Sequence, residues 1–212
     1  MRSLDQTDRR MAIILAMLAG LVDAIGFLSS GGFFLSFMSG NSTRLSIGIA
    51  EQESYAGLVA ALLFSFVVGV TGGSMIGRHG ILSNKHRQAA ILSIMAILLF
   101  SAPLVASSGW MTVALCIVAF CMGAENTLFE REGTVSFGLT YMTGALVKVG
   151  QGLATLFSGG EKLAWLPFLM LWFGLIGGAV LGATLFAHFA MFSIWAAAAL
   201  SLGCAGFLVL RN

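Results

Sequence analysis

A chain of 212 residues that is 58% apolar and only 9% charged cannot cover a water-facing surface, because soluble domains average roughly 25% charged residues. Its mean hydropathy of +0.95 excludes a soluble domain, a nucleic-acid binder and a disordered chain. The composition is that of an integral membrane protein whose main partner is the lipid bilayer. At about 20 residues per helical crossing the chain has room for six to eight spans. Helices are expected because barrel strands alternate apolar and polar residues, whereas 58–70 and 163–181 are apolar throughout.

In chain order, the apolar segments are 11–29, 33–50, 55–77, 89–106, 110–129, 134–157, 163–187 and 191–210. The start, MRSLDQTDRR followed by MAIILAMLAGLV, has the outline of a signal peptide. It lacks an A-x-A-like site and its apolar run continues to Leu28, so it reads as an uncleaved first span. The connections (SSGG, EQES, RHGILSNKHR, SSG, EREG, SGGEK) are too short for a second domain or a soluble active site. One integral membrane domain, 1–212, is expected.

The polar inventory does not favour an enzyme. His79, His86 and His188 are scattered and no H-E-x-x-H motif occurs; the glycine-rich stretches lack the lysine and strand context of a phosphate loop. Cys116, Cys121 and Cys204 lie inside apolar runs and read as buried thiols rather than a disulfide framework or zinc site. No cofactor is implied.

An internal repeat organises the chain. SFMSGNSTRL (36–45) lies over TYMTGALVKV (140–149), displaced by 104 positions; GVTGGSMIG (69–77) lies over GLIGGAVLG (174–182), displaced by 105; GLVD (20–23) lies over GAEN (123–126), displaced by 103. Repeat one is 11–106 and repeat two 110–210, each reading helix, glycine-interrupted segment, helix, helix. If all eight segments crossed, Arg78, Lys85 and Arg87 would face the side opposite Arg2, Arg9 and Arg10, against the positive-inside rule. If segments two and six re-enter on the side they left, each half has three crossings and the second half is inverted. The N-terminus, the loop from Arg78 to Arg87, Arg131, Lys162 and Arg211 then all face the cytoplasm, and EQES lies outside. The 24 residues of 134–157 remain long enough to cross.

Inverted repeats with broken segments place free backbone groups near the bilayer midplane, where they can hold a solute or ion. Hydroxyls and an amide surround the breaks: Ser36, Ser39, Asn41, Ser42, Thr43, Thr140 and Thr143. Gly40 and Gly144 supply the interruptions. Four charges stand within apolar runs, where each costs at least about 2.5–3.5 kcal/mol at the centre: Asp23, Arg44, Glu125 and Lys148. Pairing Asp23 with Arg44 and Glu125 with Lys148 leaves no net buried charge. Such pairs are open to three readings: structural locks, a site for a charged solute or proton, or bases snorkelling to an interface. Gly69, Gly73 and Gly77, like Gly174, Gly178 and Gly182, recur every four residues and form faces for close helix packing, within the chain or in a homo-oligomer.

The runs GLVDAIGF, FMSGN, GAENTLF and TYMTGALVKV resemble the YoaK-type bacterial membrane proteins, an uncharacterised family of about six predicted spans marked by G-x-V-D-A, T-G-N and V-T-G-T-L motifs. Here SGN replaces TGN at Ser39–Asn41, Ala145 stands where threonine is usual, and Glu125-Asn126 where Gln-Asn is common. The resemblance implies a bacterial inner-membrane location but no substrate.

The expected protein is all-α, with six transmembrane helices and two broken or re-entrant segments in an inverted repeat, both termini cytoplasmic. Its expected work is moving a small, anionic solute or an ion through a site lined by Asp23, Ser39, Gly40, Asn41, Arg44, Glu125, Asn126, Thr143, Gly144 and Lys148. The alternatives are a membrane scaffold or assembly protein and a passive channel.

Overall fold

The computed structural model describes residues 6–78, 83–131, 134–135, 141–159, 163 and 165–210. Arg2, Thr140, Lys162 and Arg211, which the sequence reading used, lie outside them. The described chain is built from α1 (Gln6–Ser30), α2 (Met38–Ala50), α3 (Ala56–Arg78), α4 (Asn84–Ser107), α5 (Met111–Glu125), α6 (Met142–Phe157), α7 (Leu166–Phe189) and α8 (Ile194–Leu210). A short 3₁₀ turn (Ala190–Ser193) joins α7 to α8.

Length and hydropathy suit α1, 56–76 of α3, α4 and the continuous stretch 166–210 to a bilayer; α5 is a shorter apolar helix. Their outward surfaces are apolar: Phe64 is 71% exposed, Ile97 70% and Leu202 61%. In water such a surface would drive aggregation; against lipid chains it is matched. Inside, Leu15, Leu18, Leu21 and Ile25 of α1 pack with Leu99 of α4 and Leu115 and Met122 of α5 in one core.

Segments two and six are not continuous helices. After α1, Gly31 and Gly32 take φ of +79° and +115°, values that favour glycine. The Gly32 N–H reaches back to Phe27 O at 2.9 Å, a helix-ending bond of the Schellman kind. The chain then runs irregularly to Phe37 before α2 begins. The region expected as the apolar segment 134–157 instead opens in a two-residue ribbon, Glu130–Arg131 against Thr134–Val135, and its helix α6 spans Met142–Phe157. This small ribbon is the one departure from an all-helical reading among the described residues. With 13 and 16 residues, α2 and α6 measure about 20 and 24 Å, short of the roughly 30 Å hydrocarbon core.

The halves exchange partners: α1 packs along α7, α3 along α5, and α4 along α8. Glycine backbones form the first two interfaces. A Cβ on Gly178 would run into Met17 O, and one on Gly69 into Phe120 O. Likewise Gly182 abuts Leu21 and Gly73 abuts Ala124, while Gly20 meets Leu175 and Ala179 where Gly123 meets Phe66 and Val70. The two interfaces therefore match residue for residue, with Gly178 in the place of Gly69. This corrects the sequence register, which placed Gly174 over Gly69. Glycines recurring every fourth residue permit a one-turn slip without changing the pattern. Gly69, Gly73, Gly174, Gly178 and Gly182 are thus engaged inside the chain.

Candidate functional site

The irregular stretch before α2 is held by two side chains. Asp23, on α1, accepts hydrogen bonds at Oδ1 from the N–H groups of Leu35 (2.8 Å) and Ser36 (2.6 Å), and at Oδ2 from the Ser36 hydroxyl (2.6 Å). Asn41 is fully buried. Its Oδ1 accepts from Phe34 N–H at 3.0 Å while its Nδ2 donates to Phe34 O at 2.6 Å. Backbone groups that leave regular structure at membrane depth need such partners. The local role of G-x-V-D-A and S-G-N in this chain is thus to fasten the break.

Two short helices then begin alike. Phe37 and Tyr141 occupy the N-cap positions with φ/ψ of −84°/75° and −81°/58°, and neither helix has a side-chain cap. The first intrahelical bonds run from Asn41 N–H to Phe37 O and from Ala145 N–H to Tyr141 O. Gly40 makes room for its cap ring, since a Cβ there would stand 2.7 Å from the Phe37 ring; at Gly144 a Cβ would meet the Tyr141 ring at 3.7 Å, an ordinary contact.

Between these helix starts lies a cavity of about 610 Å³. The matched positions Phe37 and Tyr141, Met38 and Met142, and Ser39 and Thr143 line it, with Ser36, Ser42, Asn126 and, from α3, Phe66 and Val70. Its walls are mostly apolar, and its polar points are hydroxyls, one amide and the starts of two helices. Helix N-termini present N–H groups and the positive end of the peptide dipoles, so the arrangement suits an anionic group attached to a small apolar body.

Of the predicted site residues, Ser39, Asn126 and Thr143 line this cavity. Asn41, Gly40 and Gly144 are not among its lining residues. The four charges do not pair as expected. Asp23 is occupied by the break. Arg44 lies beside Gly32 with its guanidinium 5.6 Å from the Phe33 ring centroid. Lys148 is exposed and donates to Gln151 Oε1 at 3.3 Å. Glu125 is fully buried, and neither carboxyl oxygen has a hydrogen-bond partner among the described residues. At about 100° per residue, Arg44 sits about 140° around α2 from the cavity-lining Ser39.

Sequence reasoning missed the support beneath the cavity. Arg87, assigned to the basic loop, lies in the first turn of α4 and is 6% exposed. It donates to Thr127 O at 2.7 Å, and Gln88 donates to Leu128 O at 2.8 Å. Together they satisfy the carbonyls that follow the end of α5 and fix the turn carrying Asn126. No local pattern distinguishes this arginine from its solvated neighbours.

Long apolar helices around a polar-pointed cavity, with two half-length helices meeting at it, define a multi-pass, all-helical membrane protein. The chain belongs to the family described as "Protein of unknown function (DUF1275)", whose model matches residues 11–207. It is 36% identical over 201 residues to the UPF0700 transmembrane protein RA0705 of Rhizobium meliloti (strain 1021), covering 93% of this chain and 85% of that one. It is 27% identical over 146 residues to the UPF0700 transmembrane protein YoaK of Bacillus subtilis (strain 168), covering 64% and 63%. No solved structure matches significantly.

Proposed function

We propose that the chain is a secondary transporter of a small anionic solute in the bacterial inner membrane, working by alternating access between two inverted repeats. In this reading α1, α3, α4, α5, α7 and α8 cross the bilayer, α2 and α6 re-enter from opposite faces, and both termini are cytoplasmic. The exchanged packing of α1 on α7 and α5 on α3 supports it, since each half lends its third helix to the first helix of the other. The observation that carries it is the cavity lined by the same three positions of both short helices, Phe37–Ser39 and Tyr141–Thr143. A solute held there touches both halves at once, so a rocking of one against the other exposes it to either side.

Two outcomes test this. Thermal denaturation of the purified protein against a panel of small carboxylates and inorganic anions should give saturable stabilisation by one class, about 2.7 kcal/mol at a hundredfold excess over Kd. Ser39→Leu with Thr143→Leu should abolish it. If no anion stabilises the protein while another membrane protein copurifies stoichiometrically, a scaffold is favoured instead. For orientation, cysteines placed at Ser54 and Lys85, both exposed, should react with an impermeant maleimide from the periplasmic and cytoplasmic sides respectively. Labelling from the exchanged sides, Ser54 from the cytoplasm and Lys85 from the periplasm, would overturn the three-crossing half.

A further inference from the structure

Glu125 is the least explained group in the molecule. It ends α5, it is fully buried, and neither oxygen has a hydrogen-bond partner among the described residues. An ionised carboxylate is held away from water only when a counter-charge or donors replace its hydration. The groups that face it supply neither. From α1 comes Asp23, another acid, within electrostatic range. From α8 comes Cys204, and one turn back on α5 lies Cys121. Along α3 the adjoining residues 66–73 include no titratable side chain. From α4, Arg87 is directed to the carbonyls of Thr127 and Leu128. The two acids differ sharply in surroundings, because Asp23 accepts three hydrogen bonds and Glu125 none.

A connection to the cavity exists through Asp23. The Ser36 hydroxyl lines the cavity and donates to Asp23 Oδ2 at 2.6 Å. We propose that Glu125 is the proton-carrying residue of this transporter, exchanging its proton with the cavity through Asp23 and Ser36. The proposal rests on the transport reading for the purpose of the proton, not for its path. Inward, a hydronium ion in the cavity gives a proton to Ser36 Oγ as the hydroxyl passes its own to Asp23, leaving water behind. No hydrogen bond joins Asp23 to Glu125 in this conformation, so the transfer from Asp23 to Glu125 follows a movement that brings the two carboxyls within reach; Asp23 then returns to a carboxylate and Glu125 becomes a neutral acid. Release reverses these steps, and each transit moves one proton and no other atom.

Infrared difference spectroscopy of the full-length purified protein tests this without a solute. The wild type should show a protonated-carboxyl C=O band that moves on transfer to D₂O, bleaches between about pH 4 and pH 10, and is missing in Glu125→Gln. Ser36→Ala should slow its deuterium exchange by about a hundredfold; the isosteric Glu125→Gln keeps the assignment independent of how well that variant folds. Absence of the band from the wild type, or a band unchanged in Glu125→Gln, would overturn the proposal. A band that neither exchanges nor titrates would also do so, marking a permanently neutral acid. Failure of anions to stabilise the protein would sink the solute reading while leaving these spectra unaltered.

Discussion

Replacing Asp23 with alanine is expected to destabilise the protein by on the order of 3–6 kcal/mol, the cost of leaving several buried donors unsatisfied. Three donors lose their acceptor at once: Leu35 N–H, Ser36 N–H and the Ser36 hydroxyl. Leu35 is fully buried and Ser36 is 2% exposed, so water cannot take over without opening the break. Asp23→Asn keeps one carbonyl-type acceptor and should lie between wild type and alanine; Asn126, at the corresponding position of the second half, carries that amide naturally. Tryptophan-fluorescence melting in detergent would give the order wild type, Asn, Ala. An alanine variant that melts with the wild type would show that Asn41 alone holds the break through Phe34.

Gly178→Ala and Gly177→Ala, neighbouring substitutions in α7, should have opposite signs. Gly177 faces open space, with nothing within 4 Å of an added Cβ. Alanine there gains helix propensity, about 0.8–1.0 kcal/mol. At Gly178 the same methyl would meet Met17 O, and the obstacle is backbone. Backbone cannot rotate away as a side chain can, so α1 and α7 must separate along their length. The overpacking penalty of about 1–3 kcal/mol is then a lower bound, because the core under Leu15, Leu18 and Leu21 opens too. Thermal midpoints of both variants check this: Gly177→Ala at or above wild type, Gly178→Ala well below or failing to fold. Equal effects would mean that α1 and α7 do not approach through this face.

Much of the local design is readable from residue type. Asp23 and Asn41 stand out because a carboxylate and an amide in apolar runs must find partners. The irregular backbone beside Gly31 and Gly32 is where those partners are. The glycine faces were equally visible, but their partner was not, since a face repeating every four residues fits a neighbour in several registers. Arg87 gave no signal at all: its importance comes from carbonyls just past the end of α5, forty residues away in the chain.

Composition and hydropathy alone determined that this chain lives in a bilayer, because so few charges cannot hydrate so much apolar surface. The recurrence of SFMSG as TYMTG marked two equivalent segments, read as interrupted at Gly40 and Gly144; the structure instead places both glycines in the first turns of α2 and α6. Only the tertiary structure decided that these helix starts share one cavity and that Glu125 has no hydrogen-bond partner among the described residues. Sequence spacing sets the angle of a side chain about its own helix. The angle between helices, and hence what that side chain meets, is set by contacts between residues far apart in the chain.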